Sequence, residues 1–333
     1  MAEISKSELV DRLNPATADL LESYRDKFDF LGIETKTLDN GAELINFGCT
    51  THSGAGELLA NICMADLAQA KYLERMPQGI SDSNETQAIT WVSVETAHPL
   101  IACMAAQYAG WPLSVGKFFA MCSGPARSAR GKEKVLEEYQ LTAAAQNAVA
   151  VLECRKFPDE SVAEAIAEEC DVPVDQVKIC VAPTSSLAGT IQIVGRSVET
   201  AIHKLHELKF DLNCIKSGKG EAPSPPIQQD DLVALGWTND AVLYGAVVEL
   251  TVHCEDAVIE EVGPKVPSNS SSDFGTPFLE IFERFERDFY KIDKMLFSPA
   301  KVVFKNLRND RTFEFGEQRF DILDDSWKRS SDD

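Results

Sequence analysis

Apolar positions along this chain switch repeatedly between a period near 3.6 and a period of 2. From Ser7 to about Phe30, leucine, alanine and aromatic residues fall at helical intervals and predict one or two surface helices. In GIETKTLDNGAELINFG two alternating runs flank Asp39-Asn40-Gly41, and Asn-Gly between such runs predicts a hairpin. Leu58, Leu59, Ile62, Met64 and Leu67 return to helical spacing and predict a helix over 54–70. AITWVSVET (88–96) alternates and is β-branched, hence a strand, and HPLIACMAAQYAG reads as a helix closed by Gly110.

The mixture continues toward the C-terminus. Strands are expected from Val115 to Met121, over AVAVLEC (148–154) and over VKICVAP (177–183), with a turn at Cys122-Ser123-Gly124-Pro125 and a helix from Asp159 or Glu160 to Cys170. Leu187, Ile191, Val194, Val198, Ile202, Leu205 and Leu208 form the longest periodic stripe and predict one continuous helix. SGKGEAPSPPIQQ (217–229) reads as a loop, and AVLYGAVVELTVHC (241–254) as a strand pair or one long strand. SNSSSDFGTPF is irregular, LEIFERFERDF an aromatic-rich helix, KVVFKNLRNDRTFEFG a hairpin turning near Asn309 and Asp310, and DDSWKRSSDD a frayed end. Strands and helices mix without a strict βαβ repeat, and neither GxGxxG nor GxxxxGK[ST] occurs, so neither a Rossmann nor a P-loop reading has support. The class is α/β (mixed α+β). With 333 residues, about two domains are expected, approximately 1–190 and 191–333, with segments free to cross over.

Charge narrows the partners. Thirty-two basic against 53 acidic side chains leave a net charge of −21, a field that repels a phosphate backbone, so nucleic acid is not an expected partner. Nine cysteines include no CxxC or CxxxC pair, and His52, His98 and His253 are isolated from one another, so no metal site is expected and the thiols read as reduced. The acidic, amphipathic N-terminus is unlike a secretory signal, and no apolar run reaches the ~18 residues of a membrane span, so a cytoplasmic protein is expected.

Four polar stretches interrupt apolar surroundings. Ser123-Gly124-Pro125-Ala126-Arg127 joins free backbone N–H groups at a strand end to an arginine that could clamp an anion, or is a turn with a surface arginine. Pro183-Thr184-Ser185-Ser186 stands at a strand-to-helix junction, where Ser185 or Ser186 is a natural N-cap and an anionic group would also fit. Gln192, Arg196, Glu199 and His203, spaced 4, 3 and 4, make a polar stripe in which Glu199 could accept a proton and Arg196 orient water, or the two form an ordinary helix ion pair. Thr238, Asn239, Asp240 and Tyr244 head an apolar run, where turn chemistry accounts for Asn-Asp by itself.

Taken in order, VGKFFAM with SGPAR (115–127), VAPTSSLAGTIQIVGRSVETAIHKL (181–205), GWTNDAVLYG (236–245), DFGTPFLEIFERFERDFYKID (273–293) and FSPAKVVFKNL resemble the methenyl-tetrahydromethanopterin cyclohydrolase family of archaea and C1-oxidising bacteria, from about residue 30 to about 320. The resemblance implies two α/β domains in a family-specific fold with a pterin-binding cleft between them, and a homotrimer. The implied reaction is reversible hydrolysis of the methenyl bridge to 5-formyl-tetrahydromethanopterin, in methanogenesis or methylotrophy. It also implies no cofactor, the pterin C1 carrier being the substrate. The family's catalytic arginine and glutamate fall on Arg196 and Glu199 of the G-R-x-V-E-T-A run. Glu199 would take the proton from attacking water, and Arg196, a poor partner for a cationic substrate, would hold that carboxylate ionised and orient water. By the same resemblance Ser123, Gly124, Pro125 and Arg127 would bind the tail or an anion of the carrier. Pro183, Thr184, Ser185 and Gln192 would line the pterin site, with Thr238, Asn239, Asp240 and Tyr244 as its wall. Cys122 stands where the family commonly has glycine, which leaves the geometry of that anion site open. Two other readings stay open at this stage, a non-catalytic pterin-binding protein and a relative shifted to a folate substrate.

Overall fold

The computed structural model describes residues 4–75, 89–288 and 291–328. Two compact units are present, one of residues up to Ala68 together with Leu100–Gln192, the other of Gln69–Pro99 together with the chain from Ile193 onward. The boundary was expected near 190/191 with segments free to cross over; the segment Gln69–Pro99 lies with the C-terminal unit. Each unit is built on one six-stranded mixed sheet, which is the α/β class expected.

The first sheet runs in the order β1-β2-β8-β7-β6-β5, with β1 (Glu34–Thr37), β2 (Glu43–Asn46), β5 (Trp111–Val115), β6 (Phe118–Ser123), β7 (Ala148–Glu153) and β8 (Val177–Ala182). The predicted hairpin is β1 and β2, paired antiparallel; β2, β8 and β7 are mutually parallel. Alternate residues of β7 serve two cores. Ala148, Ala150 and Leu152 pack with Ile166 and Cys170 on one face, whereas Val149 and Val151 pack with Leu58, Leu59 and Ile62 on the other. A parallel strand covered on both faces is apolar throughout, which is why 148–152 reads as an unbroken apolar run. Six helices flank this sheet: α1 (Lys6–Asp11), α2 (Leu13–Ser23), α3 (Phe28–Leu31), α4 (Ser53–Cys63), α5 (Ala126–Arg130) and α6 (Lys134–Glu138). To these the unit adds α7 (Glu160–Cys170), capped by Asp159, and most of α8 (Leu187–Val194).

Several sequence expectations are corrected in this unit. The helix expected over 54–70 stops at Cys63, because Ala65 and Asp66 turn the chain with φ of 55° and 58°, and a strand starts at Ala68. The helix expected to close at Gly110 is a buried π-helical stretch, Leu100–Gln107. The single strand expected from Val115 to Met121 is a hairpin, β5 and β6 turning at Gly116 and Lys117, and Cys122 and Ser123 belong to β6 rather than to a turn.

The second sheet runs β12-β11-β10-β9-β4-β3, from β3 (Ala68–Arg75), β4 (Ile89–Thr96), β9 (Ile215–Pro223), β10 (Val247–Val252), β11 (Lys301–Asn306) and β12 (Arg311–Gly316). Its helices are α9 (Ser197–Glu207), α10 (Asp231–Gly245), α11 (Asp256–Val262), α12 (Phe278–Arg284) and α13 (Phe320–Lys328). The hairpin expected at the C-terminus is β11 and β12. Of the end expected to fray, 324–328 is helical and 329–333 lies outside the described residues.

Three corrections here bear on function. The continuous helix expected over 187–208 breaks at Gly195-Arg196 into α8 and α9. The stretch 217–229 is not all loop, since residues up to Pro223 form β9, paired on both sides with β4 and β10. Its buried face is Gly218, Gly220 and Ala222, so alternation is present without large apolar residues to reveal it. Finally, 231–245 is one helix, capped by the Asp230 carboxylate at Leu232 and Val233 N–H, where a turn and strand were expected. A helix buried on nearly every side has no polar face to display a period.

Candidate functional site

Arg196 is the residue at which α9 begins, with φ −85° and ψ 6°, and its carbonyl accepts the Thr200 N–H at 2.9 Å. Glu199 lies in the first turn of that helix and is 5% exposed. A carboxylate there is favoured by the unpaired N–H groups of the helix start. The helix sits close against β9. Cβ atoms placed on Gly218 and Gly220 would stand 2.8 Å from Val198 Cγ1 and 2.3 Å from Ser197 Oγ, so the two glycines are what let the turn carrying Arg196 and Glu199 approach the sheet. The expected four-residue stripe is split by the helix break. Gln192 belongs to the first unit, Arg196 and Glu199 to the second, and His203 Nε2 lies 4.0 Å from Glu207 Oε1.

A second polar group stands at the C-terminal ends of β7 and β8. Glu153 ends β7, with its Oε1 accepting from Thr184 Oγ1 at 2.5 Å and its Oε2 from Gln192 Nε2 at 3.5 Å. Arg155 donates from Nη2 to Ser185 Oγ at 2.8 Å. Ser186, not Ser185, caps α8: its hydroxyl donates to the Pro183 carbonyl at 2.7 Å and accepts from Gly189 N–H at 3.0 Å. Pro183, Thr184, Ser185 and Gln192 are therefore gathered at one end of the parallel strands. Glu153 and Arg155 were missed in the sequence because nothing local marks them: only the pairing of β7 with β8 sets Glu153 beside Ala182.

The residues expected as an anion clamp, Ser123, Gly124, Pro125 and Arg127, are drawn into the packing of the first unit. Arg127 is wholly buried and its donors are spent within the unit: Nε on Glu133 Oε1 at 2.9 Å, Nη2 on Glu133 Oε2, and Nη1 on the carbonyls of Met104 at 3.0 Å and Ala106 at 3.4 Å. Ser123 is buried in β6, the Pro125 carbonyl accepts from Asn14 Nδ2, and Gly124 holds φ +89° where a Cβ would stand 3.0 Å from the Val149 carbonyl. Cys122 lies opposite Trp111 in the β5–β6 ladder with its thiol in the core, donating to the Ser123 carbonyl at 3.5 Å, and burial pushes its pKa up.

Thr238, Asn239, Asp240 and Tyr244, expected as a wall, lie on α10 and are hydrogen-bonded within the second unit. Thr238 and Asn239 donate back to the carbonyls of Ala234 and Leu235 at 2.8 and 2.9 Å. Asp240 accepts from Phe278 N–H at 2.8 Å and Ser326 Oγ at 2.6 Å, its pKa pushed up to about 7 by burial. Tyr244 donates to the Thr276 carbonyl at 2.6 Å, and burial pushes its pKa up as well. Among the described residues no group of three or more His, Cys, Asp or Glu side chains is placed to hold a metal ion, and no helix is long and apolar enough to cross a membrane.

A family model described as Cyclohydrolase (MCH) matches residues 12–327. A methenyltetrahydromethanopterin cyclohydrolase of Rhodopirellula baltica is 44% identical over 290 residues, 85% of each chain. Its counterpart in Methanosarcina mazei is 42% identical over 322 residues, covering 95% of this chain and 98% of its own. That of Methylobacillus flagellatus is 36% identical over 322 residues, 96% of both. By the extent of the family match and the identity of these relatives over nearly their whole length, the chain belongs to the methenyltetrahydromethanopterin cyclohydrolase family.

Proposed function

We propose that this chain is a hydrolase acting on the cyclic amidine of methenyltetrahydromethanopterin, opening it reversibly to the 5-formyl derivative. The observation that carries the assignment of its chemistry is Glu199, a carboxylate 5% exposed in the first turn of α9, three residues after Arg196. The methenyl carbon is flanked by two nitrogens that share a positive charge, so it is already electrophilic. Attack by water forms a C–O bond only as the water loses a proton, and Glu199 accepts it. The hydroxyl now on that carbon gives up its proton and becomes the formyl carbonyl as the carbon–nitrogen bond breaks, the departing nitrogen takes up one proton through Glu199 or a neighbouring donor, and the other of the water's two protons is released to solvent. Arg196 orients the carboxylate and the water and does not hold the substrate, because a guanidinium facing a cationic ring is repelled by it.

The same reading makes the protein a cytoplasmic homotrimer of one-carbon metabolism with no resident metal or nucleotide, the carrier entering as substrate. Mixing purified protein with methenyltetrahydromethanopterin should bleach the absorbance of the conjugated methenyl group. Binding without bleaching would leave a non-catalytic pterin-binding protein, and equal turnover of methenyl-tetrahydrofolate a folate enzyme. A Glu199→Gln variant turning over at the wild-type rate would remove the assignment of the base.

A further inference from the structure

We infer that His203 and Glu207 carry away the proton that hydrolysis releases, passing it from Glu199 along one face of α9 to solvent. This rests on the hydrolase reading above and extends it to two residues outside the Arg196 and Glu199 pair. Opening a cationic ring with neutral water gives a neutral formyl product and a proton. Each forward turnover therefore leaves a proton to be cleared from a base that is 5% exposed. Until it is cleared, that base cannot accept from the next water.

Glu199, His203 and Glu207 are spaced four and four along α9. Side chains at that spacing stand on one helix face with neighbouring Cβ atoms about 5–6 Å apart. Each Cα–Cβ bond leans toward the helix N-terminus, so His203 reaches back over the turn carrying Glu199, and Glu207 over the turn carrying His203. The second approach is explicit: His203 Nε2 lies 4.0 Å from Glu207 Oε1, a gap that a small side-chain rotation or one bridging water closes. Exposure rises along the row, from the buried Glu199 to side chains 18% exposed at His203 and 31% at Glu207, so the row leads from the base to the surface. Lys204, the buried cation of the same helix, is turned instead to Ser270 and the Met295 carbonyl. Imidazole suits the middle position, because near neutral pH it takes a proton at one nitrogen and gives one up at the other. His203 accepts the proton from the Glu199 carboxylic acid. Nε2, the nitrogen facing Glu207, then releases a proton to that carboxylate and on to water, and exchange with solvent restores the starting tautomer. In the reverse direction the same row delivers the proton.

The test is the methenyl absorbance assay on the full-length protein at fixed pH and ionic strength, with buffer concentration as the variable. Wild-type kcat should not depend on buffer concentration. His203→Gln should lose about tenfold or more of kcat in dilute buffer with KM nearly unchanged, and added imidazole should restore most of the loss. Glu207→Gln, at the exposed end of the row, should show a smaller loss of the same kind with the same recovery. An ion pair that serves only the helix gives no recovery by imidazole. A His203→Gln variant with wild-type kcat in dilute buffer, a loss that imidazole leaves untouched, or a raised KM at unchanged kcat would each overturn the relay. Glu207→Gln at the wild-type rate in dilute buffer would overturn it with His203 intact, whether or not His203→Gln folds. The two readings fail separately: no bleaching by the wild-type protein removes the hydrolase reading, whereas bleaching with buffer-independent variants removes the relay alone.

Discussion

Gly220 of β9 lies directly beneath Ser197, the first residue of α9, so closely that a Cβ on the glycine would stand 2.3 Å from Ser197 Oγ. The Ser197 hydroxyl is buried and finds no hydrogen-bond partner among the described residues. This contact sets the height of α9 above the sheet, and with it the position of Arg196 and Glu199. A Gly220→Ala change must lift the helix start, at a cost of about 1–3 kcal/mol in stability. A misplacement on the order of 1 Å in a positioned catalytic group lowers the rate by about a hundredfold. Combining it with Ser197→Ala removes the clashing oxygen and should recover much of both losses, as read by urea unfolding and by the methenyl absorbance assay. A double variant no better than the single one would show that this contact does not govern the helix.

Arg196 is expected to act through Glu199 and water. Arg196→Met should therefore lower kcat by about 10²–10⁴-fold, the range of a general acid–base contribution, with little change in KM. A rise in KM at unchanged kcat would instead make Arg196 a substrate-binding residue.

How far the sequence revealed this arrangement depended on whether each signal was local. The hairpin at Asn40-Gly41, the Asp159 cap of α7 and the buried run of β7 are written in adjacent residues, and the structure has them where the pattern puts them. The proposed pair Arg196 and Glu199 stood out through the G-R-x-V-E-T-A run, but the break at Gly195-Arg196 did not, because the apolar stripe continues in register across it. Strand β9 was hidden for the opposite reason. Glycines chosen for the closeness of α9 look like a loop until the helix above them is known. The partners of Asp240 and Tyr244 were not legible, because a polar side chain within an apolar run can serve a cleft or sew helices together, and nothing local names Phe278, Thr276 and Ser326.

Arg127 supplies a test of that last distinction. Its guanidinium is paired with Glu133, lies over the Tyr108 ring at 5.1 Å and ties two carbonyls of the π-helical stretch. Removing one partner of a buried ion pair strands the other, at a cost of about 3–5 kcal/mol. Arg127→Met should lower the unfolding midpoint strongly while the KM for substrate in the surviving folded fraction stays near wild type. A large rise in KM with the midpoint unmoved would return Arg127 to the role of an anion clamp.

Two buried groups of the second unit make its stability depend on pH in opposite directions. The Asp240 pKa is raised by burial from 3.8 to about 7, with the Ser326 hydroxyl, the Phe278 N–H, Tyr244 and Glu280 around it. Between those values the folded state holds a proton that the unfolded chain has lost, so stability falls as pH rises through that window, by on the order of 4 kcal/mol from this group. Lys204 is buried, with its ammonium donating to Ser270 Oγ at 3.0 Å and to the Met295 carbonyl, near Asp293, and its pKa is lowered by burial from 10.5 to about 8. Here the unfolded chain holds the extra proton, so stability rises with pH from about 8 to 10.5. The two contributions together place a minimum between about 7 and 8. An Asn at 240 keeps an acceptor for Phe278 N–H and offers a donor to the Ser326 hydroxyl, without a charge to bury. Urea midpoints of Asp240→Asn should therefore gain on wild type as pH rises from 4 toward 8, and those of Lys204→Met should lose ground to wild type as pH rises from 8 to 10. Variant curves that run parallel to the wild-type curve over both windows would show that neither group titrates in the folded protein as its burial requires.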